Sequence, residues 1–250
     1  MTFNNWLLDF DEWVVSLSLN RSDQNNLLNS DTLFELGQIC SVIEENQSIR
    51  VVILQGQGKH FSAGMDPEII KNRLALSLQS NRDFILQQQR CLDRFESLSK
   101  MTIAKLRGFC YGGGLILALC CDFRIASQRT VFSLPEVRLG IPILWGTQRI
   151  TRIVGIAAAK ELILLAKRIN AASAKEYGLV HQVVAPSKLD QSVDTLAIKL
   201  VNMPLNALST VKHIIDNSYG LPVRACEDLE LDSLKLLTRS KDNQQIDIEK

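Results

Sequence analysis

Two short stretches hold the residues whose types and spacing can do chemistry. The first is Gly112-Gly113-Gly114, which follows one apolar run and opens another. Glycines let a backbone approach a ligand closely, and the free N–H groups at a helix start offer donors and partial positive charge to an oxygen that becomes negative. The second is Glu136, set after Pro135 and flanked by Leu134, Val137 and Leu139. Apolar surroundings raise a carboxyl pKa towards that of a useful proton shuttle. An electrophilic hole and one carboxylate therefore sit in a single segment, residues 100–150.

The elements that must position this pair follow from periodicity. Within the segment, residues 101–106 read as an apolar strand, the glycines as a turn and residues 115–121 as a helix, followed by a second short extended run. Upstream, residues 13–19 read as a strand, a helix capped by Asn29, Ser30 or Asp31 runs to about Glu44, and residues 50–55 form a buried strand. That order suggests a parallel βαβ-like unit. Directly beyond it comes GKHFSAGMD, residues 58–66, a small-residue turn at the strand end that ligands of open α/β sheets favour. Residues 67–80 have weak periodicity and read as a loop or loose helix, whereas 81–98 form an amphipathic helix. Helices are expected at 157–167 and 173–178, and a last strand at 180–184. Pro186-Ser187 marks a composition change, after which the pattern is helical to about Ser240. The chain thus divides into a core domain with the site, 1–186, and a helical region, 187–250.

Composition narrows the ligand class. The 250 residues are 46% apolar with a formal net charge of +1, so no basic footprint for nucleic acid is present. The N-terminal MTFNNWLLDFDEW lacks the basic flank of a signal or transit peptide, and no apolar run reaches membrane-spanning length. The expectation is a cytoplasmic protein without a membrane partner. Six cysteines scattered without a C-x-x-C pair suit reduced thiols, not a disulfide framework or a zinc site, so no metal is expected.

By its motifs the chain resembles the enoyl-CoA hydratase/isomerase (crotonase) superfamily from about Trp13 to Ser240. LNRSDQNNLLN, HFSAGMD, GFCYGGG, CDFRIA, FSLPEVRLG, GTQRITRIVG and AKEYGLV occur in family order and at family spacings. The resemblance implies an α/β fold of strand-strand-helix repeats wound into a spiral, ending in a C-terminal helical trimerisation region. It implies an acyl-coenzyme A or acyl-carrier thioester as partner, coenzyme A entering as part of the substrate and not as a separate cofactor. It also implies a homotrimer or dimer of trimers, and apolar rows at Leu196, Leu200, Leu208, Val211 and Ile215 agree with a covered helical face. By the same carry-over, the backbone N–H groups of Met65 and Gly113 form the oxyanion hole, and Ala63, Asp66, Gly112, Ile116, Leu134, Leu144 and Trp145 surround the substrate.

The acids separate reactions within the family. Family hydratases carry one glutamate shortly after the glycines and another after the proline; here these positions are Ile116 and Glu136, 20 apart as in the family. Hydration uses one carboxylate to activate water and another to deliver a proton, whereas moving a double bond needs one base that takes a proton and returns it. A single Glu136 points to enoyl-CoA isomerisation. A dehydratase, a decarboxylase, a slow hydratase and a non-catalytic paralogue stay open as alternatives. Departures from the pattern are Met101 where proline is usual, Ser22, Gln24-Asn25 in the loop that often contacts the coenzyme, and a short tail at 242–250. Leu144 and Trp145 either narrow the acyl site or pack, and His60 either holds the turn or lies on the surface.

Overall fold

A computed structural model describes residues 2–234. It divides into two compact units, Met1–Asn202 and Met203–Lys250. The first unit carries a six-stranded sheet in the order β1-β2-β3-β4-β6-β9 and a three-stranded sheet in the order β5-β7-β8. β1 (Trp6–Asp11) and β2 (Val14–Leu19) form an antiparallel hairpin, and every further pair in the large sheet is parallel: β3 (Val51–Gly56), β4 (Met101–Leu106), β6 (Phe123–Ser127) and β9 (Gln182–Val184). The near-continuous apolar runs VVILQG and MTIAKL are what a parallel strand covered on both faces requires.

Helices cover those faces. α1 (Ser30–Glu45) starts on Asn29, whose side chain accepts from the Thr32 N–H at 2.7 Å while the Asn29 N–H donates to Thr32 Oγ1 at 3.3 Å. This reciprocal cap fixes the helix start among the sequence alternatives. α1 packs on α3 (Leu78–Glu96). Between β3 and α3 the chain forms α2 (Pro67–Leu74), with Asp66 as its cap and Pro67 in its first turn. Of the two alternatives for 67–80, a loop or a loose helix, the helix is formed over Pro67–Leu74.

The small sheet joins β5 (Phe109–Tyr111), β7 (Val131–Ser133) and β8 (Ile169–Asn170). α4 (Gly112–Leu119) follows β5 without a break, and all eight of its residues are buried. It starts three residues earlier than expected because the glycines belong to its first turn, entered through a left-handed Gly112. α5 (Thr147–Leu164) is kinked at Gly155, where φ is 79°, and α6 (Ala171–Glu176) leads to β9.

The helix after Pro186, α7 (Leu189–Val201), belongs to the first unit because Val193, Ala197 and Leu200 are buried as it packs on β3, β4 and β6. The unit boundary thus falls after Asn202, not at Ser187. Leu200 is core, not part of a free apolar row. In the second unit α8 (Leu205–Ser218) and α9 (Val223–Asp232) pack together, and Val211 and Ile215 are exposed. The helical pattern from 235 to 240 and the tail at 242–250 lie outside the described residues. Among those described, no helix is long and apolar enough to cross a membrane.

Candidate active site

The HFSAGMD segment is clamped from both sides. Ser62 donates its N–H to Phe109 O and accepts from the Tyr111 N–H, each at 3.0 Å, so the segment runs beside β5. On its other side the Leu28 N–H donates to Gly64 O at 2.8 Å and the Asp66 N–H to Leu28 O at 2.9 Å. This is a parallel bridge between Leu28 and Met65, and in that pattern the Met65 N–H points away from Leu28. Ser62 Oγ donates to Asn26 O at 2.7 Å and accepts the Gly64 N–H at 3.1 Å, pinning the turn internally. His60 Nδ1 accepts the Phe109 N–H at 3.0 Å, which decides its role: it holds the turn to β5.

The first turn of α4 stands against this clamp. Its preceding residue, Tyr111, makes no side-chain capping bond, so the helix start has no side-chain acceptor from that position. Gly112 has φ of 47°, in the left-handed region that favours glycine. A Cβ on Gly113 would stand 2.8 Å from Met65 Sδ, and one on Gly114 2.5 Å from Ser62 Cβ. The triplet is therefore required for the helix start to lie this close to Met65 and its turn.

Glu136 enters from β7. It opens a short 3-10 turn, Glu136–Leu139, that directs its carboxylate back towards the glycines, so that Oε1 lies 2.7 Å from where a Gly112 Cβ would be. Glu136 Oε2 is buried and has no hydrogen-bond partner among the described residues. Burial holds this carboxyl above the usual carboxylate range, partly offset by its own backbone N–H. A carboxyl so placed can hold a proton at a pH where an exposed one cannot.

These three pieces border one cavity of about 360 Å³. Of the residues singled out from the sequence, Ala63, Met65, Gly112, Gly113, Ile116, Glu136, Leu144 and Trp145 line it. Two expected residues do not. Asp66 turns instead to α2, accepting the Glu68 N–H at 3.1 Å and pairing with Arg21 at 3.4 Å. Leu134 is buried in the core at 2% exposure. Sequence reasoning missed Ile70 and Arg73 of α2 and the Ile141-Pro142-Ile143 wall. The Trp145 wall is anchored by Arg149, whose Nη1 donates to Trp145 O at 2.6 Å while Nη2 meets Asp93 and Glu96 of α3, each at 2.6 Å. Glu136 is the only carboxylate among the described lining residues, and Ile116 packs against Gly146 at the position where the family pattern calls for a second acid.

A family model for enoyl-CoA hydratase/isomerase matches residues 9–247 of the chain. The chain belongs to the enoyl-CoA hydratase/isomerase family. A crotonyl-CoA hydratase of Syntrophomonas wolfei is 34% identical over 247 residues, covering 98% of this chain and 94% of the relative. A peroxisomal Delta(3,5)-Delta(2,4)-dienoyl-CoA isomerase of Arabidopsis thaliana is 36% identical over 198 residues, 75% of this chain and 71% of the relative. The crystal structure of an enoyl-CoA hydratase from Bacillus anthracis superposes with a TM-score of 0.87 at 35% identity, covering 96% of this chain and 93% of that one. The fold of this enoyl-CoA hydratase/isomerase family member is accordingly crotonase-like, and the chain is a thioester enzyme of that family. Among the described residues no group of three His, Cys, Asp or Glu side chains is arranged to hold a metal ion.

Proposed function

We propose that this family member moves a double bond within an enoyl thioester in preference to adding water across it. One observation carries the reading: the cavity presents Glu136 as its sole carboxylate among the described residues, with Ile116 in place of a second acid. The thioester oxygen of a 3-enoyl substrate lies in a hole formed by the N–H groups of Met65 and Gly113. Glu136 takes a proton from C2, the charge spreads over a dienolate whose oxygen the two donors hold, and the same carboxyl, now neutral, returns the proton to C4. The product is the conjugated 2-enoyl thioester. Each preorganised donor contributes about 3 kcal/mol when charge develops on the oxygen. The raised pKa suits both halves of the transfer, because the group must give up the proton as readily as it takes it.

Hydratase names prevail among the relatives and favour hydration as the second reading. Under it Glu136 alone would orient the water and supply the proton. Product analysis separates the two: a 3-enoyl-CoA should yield the conjugated 2-enoyl-CoA of unchanged mass, whereas a 3-enoyl-CoA left unreacted while a 2-enoyl-CoA gains one water would favour hydration.

A further inference from the structure

Glu136 and Arg73 are the two charged side chains among the described residues that line the cavity. Glu136 is accounted for by the proposed chemistry. Arg73 is not. It stands in the last turn of α2, and its Nε donates to Asn81 Oδ1 at 3.1 Å. Among the described residues no carboxylate pairs with it, and its neighbours on the wall, such as Ile70, Ile143 and Leu144, are apolar. Burial pulls its pKa down from the ordinary guanidinium value. Arg73 stands seven residues, about 10 Å along the axis of α2, beyond the Asp66 cap that adjoins Met65, so its charge lies away from the Met65 turn on an apolar wall. A partly desolvated guanidinium without an anion is unfavourable, and its planar fork matches a carboxylate or phosphate.

We propose that Arg73 receives an anionic oxygen of the substrate, and that this oxygen belongs to a carboxylate at the far end of the acyl group. The inference rests on the reading of Glu136, Met65 and Gly113 as the thioester end of the site. With that end assigned, a charge on the cavity wall two turns of α2 beyond Met65 selects acyl groups that carry their own anion there. The substrate class is a short enoyl thioester with a terminal carboxylate. The other source of the same chemistry is a phosphate of the coenzyme arm.

Calorimetry on the whole protein with unreactive saturated thioesters tests this without relying on turnover, so a failure of the double-bond reading would leave it intact. Glutaryl-CoA should bind about 10- to 100-fold more tightly than its terminal methyl ester, the range expected of a hydrogen bond to a charged group. The same preference should persist when both acyl groups are carried on pantetheine, which has no phosphate. Arg73→Gln should bring acid and ester to the same affinity, and Arg73→Lys should keep part of the difference. Equal affinities in the wild type overturn the proposal even if no variant folds. So does a preference that survives in Arg73→Gln. A loss in Arg73→Gln that is the same for acid and ester on CoA and absent on pantetheine assigns Arg73 to a phosphate. A loss that is the same on both carriers makes it a helix-terminal structural cation, and either result overturns the carboxylate assignment.

Discussion

Glu136 Oε1 lies 2.7 Å from the position a Cβ would take on Gly112, so the proposed base lies against the first residue of the helix proposed to form the hole. Gly112→Ala would push the carboxylate aside and strain a residue whose φ is 47°. We expect a stability loss of about 1–2 kcal/mol from the left-handed backbone. Turnover should fall by at least about 10-fold, because an ångström of misplacement at the reacting centre can cost about 100-fold. Denaturant titration beside steady-state kinetics checks both; unchanged kcat in the folded variant would show that the contact does not position the base.

Gly113 and Met65 make a second such pair. A Cβ added at Gly113 would meet Met65 Sδ at 2.8 Å and Met65 Cγ at 3.0 Å, so the Met65 side chain, which lines the cavity, would have to shift. Gly113→Ala keeps the N–H donor, so its loss in kcat/KM should come from displaced Met65 and should be largely restored by adding Met65→Ala. A double-mutant cycle should give a coupling of about 1 kcal/mol or more. Additive losses would mean that the two positions do not meet in the working enzyme.

Ile116→Glu asks whether the missing acid is the whole difference from a hydratase. Ile116 is buried at 2% exposure and packs against Gly146, so the new carboxylate reaches the cavity only if this contact relaxes. Hydration of crotonyl-CoA should rise by up to about 100-fold, the lower range for a general acid or base. Destabilisation should accompany it, since burying an unpaired carboxyl is unfavourable. A stable variant with no gain in hydration would place the cause elsewhere in the site.

The pH dependence follows from burial of Glu136, which raises its pKa. The native state then holds a proton at pH values where the unfolded chain has released it, so this group's contribution to stability falls as pH rises from the ordinary carboxylate pKa through the raised one. Below that window Glu136→Gln and wild type should be equally stable; above it the glutamine variant should be the more stable. Wild-type kcat/KM should rise with pH through the same raised pKa, because the base must be ionised to take the C2 proton. Thermal melts across pH check the first and a kinetic profile the second. A glutamine variant less stable at neutral pH would show that the carboxylate is stabilised in the native state.

Much of this candidate site is legible in the sequence because close main-chain approach leaves its mark in residue type. Gly113 and the HFSAGMD turn announce a close backbone approach by residue type alone, and Met101–Leu106 is the strand that its apolar run predicts. Asp66 misleads because adjacency to Met65 suggests a place in the site, whereas its side chain caps α2. That cap, with Pro67 after it, is also the available signal for α2, whose weak periodicity hides it. Arg73 escapes notice for the same reason. β1 is hidden because an edge strand with exposed Leu7 and Phe10 lacks clean alternation, and the membership of α7 in the first unit depends on long-range packing that no local pattern encodes.

The most direct measurement uses one preparation of the unmodified protein and compares kcat/KM for conversion of a 3-enoyl-CoA to the 2-enoyl-CoA with kcat/KM for hydration of crotonyl-CoA, each repeated with Glu136→Gln. Glu136 as the sole carboxylate among the described lining residues, with Ile116 in place of a second acid, predicts that isomerisation exceeds hydration and that Glu136→Gln abolishes it. Efficient hydration by the unmodified protein, or isomerisation that survives in Glu136→Gln, would contradict the account.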